Sequence, residues 1–436
     1  MTEHTAPSPR PSRPEPSRTR RLRRRPHART SALVVACALV AGGTVAVPTL
    51  AFADEVARTD PRGPGRADAR GPGHGGTPRP DVVQQSLDRL VQDGVPAALA
   101  SVTDERGRER NLVAGVADLD SGRRVPVDGQ VRAGSNTKTF VAAVVLQLVG
   151  EGLVDLDASV ETYLPGVVRG EGLDADQITV RDLLQHTSGI GSYTDGPPFV
   201  VDGQLALASV KDWYVEPYEL VALGLAQPAT PHGRWMYSNT NYVLAGLIAQ
   251  KVTHRPLAEL ITARIIEPLH LTGTYVPARG ERTLRGRHPL GYHAEPAGST
   301  LVEHTDIDPA TSWGAGDLVT TPSDLSTFFS ALLGGRVLRP AELEEMTTTV
   351  AMDLPGVPAT WRYGLGLQST ELSCGVTAWG HGGIIPGYQT EGGVTTDGRA
   401  IIVATTTMHG VLPAASSAAV TQEIAALVDT VLCAQR

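Results

Sequence analysis

The sequence predicts a mixed α/β (α+β) fold, an antiparallel sheet flanked by terminal helices with a mostly helical lobe inserted between its strands. Three observations support this reading. Strand-like apolar runs occur near both ends of the chain and not clearly in its middle. The middle, about residues 136–319, reads at helical spacing with long loops between the helices. Apolar helical faces precede the first strands and follow the last.

In chain order, Val82, Val83, Leu87, Leu90 and Val91 share one helical face. Ala98–Thr103 and Asn111–Leu119 flank the polar stretch Asp104-Glu105-Arg106-Gly107, so they read as a hairpin. Helices are expected over Thr139–Gly150, Val180–Gln185, Tyr218–Leu225, Asn241–Lys251 and Leu257–Ile266. Strands return at Tyr363–Gln368, Val376–Gly380, Tyr388–Thr395 and Ala400–Thr407, the last two joined at Asp397-Gly398. A final helix covers Ser416–Leu432. The body after residue 80 is long enough for two packed lobes, a sheet lobe from 81–135 and 320–436 and a helical lobe from 136–319. There is no internal repeat.

Two segments before that body carry other signals. Residues 1–30 hold nine Arg against Glu3 and Glu15. Residues 31–53 are uncharged, Pro48 breaks their apolar run, and Ala51-Phe52-Ala53 offers an A-x-A site before Asp54. That order is expected of a signal peptide over 1–53 on a secreted, extracellular protein; an uncleaved anchor is the alternative. Arg20-Arg21 raises twin-arginine export as one route. Residues 54–80 are Gly, Pro, Arg and Asp with almost no large apolar side chain, and read as a disordered linker. No other stretch is long and clean enough to span a membrane.

Charge excludes one class of partner. The chain carries 38 basic and 46 acidic residues; without residues 1–53 it carries 29 and 44, a net −15. A body that acidic lacks the cationic surface nucleic acid needs. At 41% hydrophobic residues it has the material for a core. Among the 38 basic residues only Lys138, Lys211 and Lys251 are Lys. A guanidinium keeps its proton in a protein, whereas a desolvated amine can lose it, so a Lys in so Arg-rich a chain invites a chemical reading. Cys374 and Cys433 are the two cysteines that survive removal of the leader. They read as one disulfide, with two reduced buried thiols as the alternative.

Three blocks could carry chemistry. In Ser135-Asn136-Thr137-Lys138, Ser135 would start a helix and Lys138 would lie one turn along on the same face, in reach of the Ser135 hydroxyl. A plain helix cap is the competing reading. In Tyr237-Ser238-Asn239, Tyr237 would relay a proton and Asn239 hold a substrate amide, unless the block is only the turn that opens the next helix. In His381-Gly382-Gly383, paired glycines on a strand suggest close backbone approach by a ligand, or else a Gly-rich bend. The chain has no G-x-S-x-G elbow, no H-E-x-x-H, no Walker A motif and no Cys/His metal spacing, so neither a metal nor another cofactor is expected.

Together these blocks resemble the serine β-lactamase and penicillin-recognising superfamily, with its S-x-x-K, Y-x-N and [KH]-[ST]-G pattern. The resemblance runs over about residues 83–433 and includes LLQHTSGI, SWGAGDLVTTPSDLSTFFSALL, YGLGL and GHGG. It is nearest to secreted D-alanyl-D-alanine carboxypeptidases of the class C type, which have His in the third block and a Cys pair where Cys374 and Cys433 stand. It implies a β-lactamase/transpeptidase-like fold and an acyl-enzyme on Ser135. Lys138 would accept the proton, Tyr237 would relay it to the leaving amine, and Asn239 would orient the acyl donor. His381 would face Tyr237 across the cleft. The N–H groups of Ser135 and Ile384 would form an oxyanion hole beside Gly383, and Trp313 would line the cleft. Gly382 stands where a Thr or Ser is usual, and Gln368 where an Arg would bind a terminal carboxylate. The substrates implied are a peptidoglycan-type peptide, a β-lactam or an ester. A carboxypeptidase is the first expectation and an esterase or D-amino-acid amidase the second. The third, of another class, is a non-catalytic penicillin- or peptidoglycan-binding module.

Overall fold

The computed structural model describes residues 81–354 and 357–434. The signal peptide expected over 1–53 and the linker expected over 54–80 lie outside the described residues. The main sheet is antiparallel. Its strands are β1 (Ala97–Thr103), β2 (Glu109–Gly115), β3 (Val350–Ala351), β4 (Trp361–Tyr363), β5 (Gln368–Glu371), β6 (Thr377–Gly380), β7 (Gly383–Ile385), β8 (Tyr388–Val394) and β9 (Ala400–Thr405). The order across the sheet is β2-β1-β9-β8-β6-β5-β4-β3, with β7 paired to β8. The N-terminal hairpin therefore adds to the C-terminal one through β1 and β9, with Ala98 opposite Thr405. The mixed fold read from the sequence, with an antiparallel sheet and terminal helices, is the one observed.

Helices α1 (Val82–Gln92) and α6 (Ala414–Leu432) cover one face. Val83, Leu87, Leu90, Val420, Ile424 and Leu427 bury there against Ile401 and Val403 of β9. The helical lobe centres on α2 (Thr137–Gly150) with α3 (Val180–Gln185) and α4 (Asn239–Thr253), and α5 (Pro322–Leu333) follows it. Residues 137–146 of α2 are all buried, which is why its sequence is apolar on every side rather than along a stripe. Phe140 stacks on Phe328 of α5 with ring centroids 3.7 Å apart. Thr179 caps α3 in a capping box with Asp182, and the helix ends at His186, left-handed at φ 62°.

Four local expectations need correction. The expected strand Tyr363–Gln368 is a turn between two strands: Gly364 N–H donates to Leu367 O at 2.8 Å, and Gly366 sits at φ +75°. Its alternating apolar residues imitate a strand, but the two glycines break it. Strand β2 ends at Gly115, where φ is +79° and a Cβ would lie 2.2 Å from Pro96 O, rather than running on to Leu119. The helix expected over Leu257–Ile266 is α-helical to Ile261 and a π turn over Thr262–Ile266. The middle also holds short ribbons, Val200–Val201 with Gln204–Leu205 and Tyr292–His293 with Val302–Glu303, too short to leave a periodic signal. A disulfide joins Cys374, in the loop between β5 and β6, to Cys433 after α6. Among the described residues no helix is long and apolar enough to cross a membrane.

Candidate active site

Ser135 lies in the 3₁₀ turn Gly134–Asn136 that leads into α2. That turn is pinned from both sides. Asn136 Nδ2 donates to Ala133 O at 2.9 Å and to Thr390 Oγ1 of β8 at 2.6 Å. Thr137 Oγ1 donates to Gly134 O at 2.8 Å and accepts from Leu318 N–H at 3.1 Å. Gly134 is left-handed at φ +52°, and a Cβ there would stand 2.7 Å from Ile384 N. A Cβ on Gly383 would stand 1.9 Å from Ala133 O. Glycine at both positions lets β7 lie directly on the turn, bringing the Ser135 and Ile384 backbones together.

Lys138, one turn further on, is fully buried. Its Nζ is 3.0 Å from Ser135 Oγ, 2.7 Å from Asn239 Oδ1 and 2.7 Å from Ala315 O. It also lies 4.9 Å from the ring centre of Tyr237. Two of those partners are carbonyl oxygens, which only accept. A neutral amine has two hydrogens, so the carbonyls occupy both and leave its lone pair for the serine hydroxyl. Asn239 is committed at both ends of its side chain, because its Nδ2 donates to Thr194 Oγ1 at 3.1 Å.

Tyr237 is buried among rings, with His186 at 4.3 Å and His381 at 6.4 Å between centroids. His381 therefore faces Tyr237, but both its nitrogens are engaged elsewhere. Nδ1 is 2.6 Å from Gly382 O and Nε2 is 2.9 Å from the Tyr363 hydroxyl. A carbonyl cannot donate, so the proton sits on Nδ1 and Tyr363 O–H donates to Nε2. Burial, helped by the Lys138 charge, pushes His381 down to about 3. The ring is neutral.

Sequence reasoning passed over His186, Tyr363 and Asp317, although each stood inside a quoted motif. His186 is fully buried; its Nδ1 accepts from Ser238 N–H at 3.2 Å, and burial holds it well below its ordinary pKa. Tyr363 is fully buried as well and ends β4. Asp317 is buried in the loop whose Ala315 carbonyl meets Lys138, and burial pushes its carboxyl up to about 7.

Ser135 and Tyr237 open on a cavity of about 390 Å³, lined also by Gln368, His381, Gly382, Gly383 and Ile384. Among the described residues lining this cavity none is Lys or Arg. Arg362 is turned away, bonded to Thr349 Oγ1 at 2.7 Å and to Thr349 O at 2.8 Å. A Cβ on Gly382 would meet nothing nearer than Thr390 O at 3.8 Å, so sterics do not require glycine there. Trp313 departs from expectation. It lines a separate cavity of about 330 Å³ beside Leu257 and Arg279, its ring 3.1 Å from where a Gly246 Cβ would be. The Gly314–Asp317 turn follows Trp313 directly and carries the other contact to Lys138, so the ring anchors that loop on α4 instead of lining the Ser135 cleft.

A serine one helical turn from a buried lysine, roofed by a tyrosine and flanked by a glycine-rich strand, defines the serine hydrolase superfamily of the penicillin-binding and β-lactamase type. The Beta-lactamase family model matches residues 81–426, and the chain belongs to that family. It is 28% identical to penicillin-binding protein 4 of Amycolatopsis lactamdurans, over 71% of this chain and 78% of that one. It is 29% identical to the putative penicillin-binding protein PbpX of Bacillus subtilis, over 62% of this chain and 60% of that relative's length. Among solved structures it is similar to a D-stereospecific amidohydrolase from Streptomyces sp., at 37% identity and a TM-score of 0.72, covering 82% of this chain and all of that one. It is similar also to the D-amino acid amidase of Ochrobactrum anthropi SV3, at 26% identity and a TM-score of 0.68, covering 80% and 98%.

Proposed function

We propose that the protein is an exported serine hydrolase that cleaves amides of D-amino acids or their peptides through an acyl-enzyme on Ser135. The contact set of Lys138 carries this reading. Ser135 Oγ attacks the substrate carbonyl carbon and its proton passes to Lys138 Nζ, whose own hydrogens are held by Asn239 and Ala315. The carbonyl oxygen becomes an oxyanion between the N–H groups of Ser135 and Ile384. The C–N bond then breaks, and the leaving amine takes a proton delivered from Lys138 through Tyr237. Water hydrolyses the ester on Ser135 by the same groups in reverse order.

The choice of an amide over a free D-Ala carboxylate rests on the cavity wall. Gln368 and Gly382 supply neither the charge nor the hydroxyl a terminal carboxylate would use, and the described lining residues add no Lys or Arg. Similarity to a D-stereospecific amidohydrolase and to a D-amino acid amidase points the same way. Carboxypeptidase action on a peptidoglycan-type peptide is the second reading, favoured by the penicillin-binding relatives. For location, the Arg-rich leader and the Cys374–Cys433 disulfide support export. Intact mass after exposure to a β-lactam, an activated ester, a D-amino acid amide and a D-Ala-D-Ala peptide tests the whole reading. A Ser135 adduct is expected, absent from Ser135→Ala. A folded wild type that acquires no adduct and turns over none of the four is a binding module instead.

A further inference from the structure

The cavity that holds Ser135 extends along the β7–β8 pair to Glu391, one residue beyond the Thr390 that pins the serine turn. The carboxyl of Glu391 is held on one side only. Its Oε1 accepts from Gln389 Nε2 at 2.5 Å and lies 3.6 Å from His409 Nδ1, while Oε2 makes no hydrogen bond among the described residues. Gln389 is fixed in turn, accepting from His409 N–H at 2.9 Å. His409 is no counter-ion, because burial pushes it down to about 4 and its Nε2 is spent on Thr405 Oγ1 at 3.1 Å. Of the other ionisable groups on the wall, Asp429 is occupied by Ser373 N–H and Oγ at 2.8 and 2.6 Å, Glu371 is exposed, and His381 is neutral. Among the described residues lining this cavity none is Lys or Arg, and around Glu391 the wall combines Ile384, Trp379, Ile424 and Val428 with the uncharged Ser369, Thr370 and Thr421. A carboxylate set in such a wall without a cation is a site that a cation from outside would satisfy.

We propose that Glu391 is the counter-ion of a positively charged leaving group, so that the enzyme selects amides whose amine portion carries an ammonium and rejects those carrying a carboxylate. This rests on the acyl-enzyme reading, and on the wall of Gln368 and Gly382 being the leaving-group side. Burial raises Glu391 to about 7, so its charge is present above that pH and lost below it.

The test compares three D-phenylalanine amides with one acyl group and different amines. The amines are ethylamine, glycine and (2-aminoethyl)trimethylammonium, whose charge is independent of pH. In wild type at about pH 8.5, kcat/KM for the cationic amide should exceed that for the glycine amide by about tenfold or more. The cationic-to-neutral ratio should fall towards one at about pH 5.5, as Glu391 takes up a proton. Glu391→Gln should hold that ratio near one at both pH values, and Glu391→Asp should restore part of it. Because the pH dependence is read in wild type, the test stands even if a variant folds poorly. Turnover of all three amides with no charge preference, or a preference that survives in a folded Glu391→Gln, overturns the assignment. Failure of Ser135-dependent turnover on all three overturns the acyl-enzyme reading with it.

Discussion

An ammonium at Lys138 has three hydrogens and meets three acceptors, whereas an amine there has two hydrogens and one lone pair aimed at Ser135. In the proposed mechanism the second state is the reactive one, and it requires a group that can lose its proton. Lys138→Arg should therefore be nearly as damaging as Lys138→Ala, lowering the rate of Ser135 acylation by orders of magnitude. Retention of more than about a tenth of that rate in Lys138→Arg would leave only an electrostatic role for the residue. His381 gives a second prediction. Its Nδ1–H tautomer is fixed by Gly382 O and the Tyr363 hydroxyl, and its pKa is near 3. Nitrogen NMR of the labelled protein should show protonated Nδ1 and bare Nε2 across the neutral range. Tyr363→Phe should cost about 1–3 kcal/mol of stability, because it leaves that buried acceptor unpaired. A His381 that titrates near its ordinary value in wild type would contradict the assignment.

At the scale of elements, the Ser135–Lys138 relation was legible because it is local: positions three apart on a helix meet whatever the fold does. Tyr363 and His381 were not legible as a pair, since β4, β5 and β6 must fold into register before they meet. Reading Tyr363–Gln368 as one strand hid the turn that makes this possible. Trp313 was misplaced for a similar reason, because a motif gives the order of residues but not which side of a loop a ring takes. The loop that follows Trp313 supplies a prediction of its own. Asp317 is buried, and its carboxyl is raised to about 7 in the folded protein because the desolvation outweighs its backbone hydrogen bonds and the nearby Lys138 charge. The folded state then holds a proton that the unfolded state releases, so this group costs stability as pH rises from about 4 to 7, by at most about 4 kcal/mol. Asp317→Asn should raise Tm relative to wild type more at about pH 8 than at about pH 5. An equal shift at both pH values would mean that the carboxyl is ionised in the folded state throughout.

For the whole molecule, the disulfide and the substrate preference are the testable properties. Cys374 and Cys433 are 59 residues apart, and closing that loop stabilises the fold by about 4 kcal/mol in the chain-entropy model. Replacing both by Ser should lower stability by about that amount and leave Ser135 still able to form an adduct, since both positions lie outside the catalytic contacts. Unreduced peptide mapping of exported material should show them joined. On substrates, wild type should discriminate poorly between a D-Ala-D-Ala peptide and its C-terminal amide, and Gln368→Arg should shift kcat/KM towards the free acid. A wild type that already prefers the acid by more than about a hundredfold would return the carboxypeptidase reading to first place. The pairing of β1 with β9 has a further meaning for a chain made from one end to the other. Ser135 and Lys138 leave the ribosome long before Ile384, and β1 waits for residues 400–405 before its inner edge is covered. A nascent chain thus carries its nucleophile with no cradle for an oxyanion. Synthesis stopped before Ile384 should yield a product unable to acylate itself on a passing β-lactam.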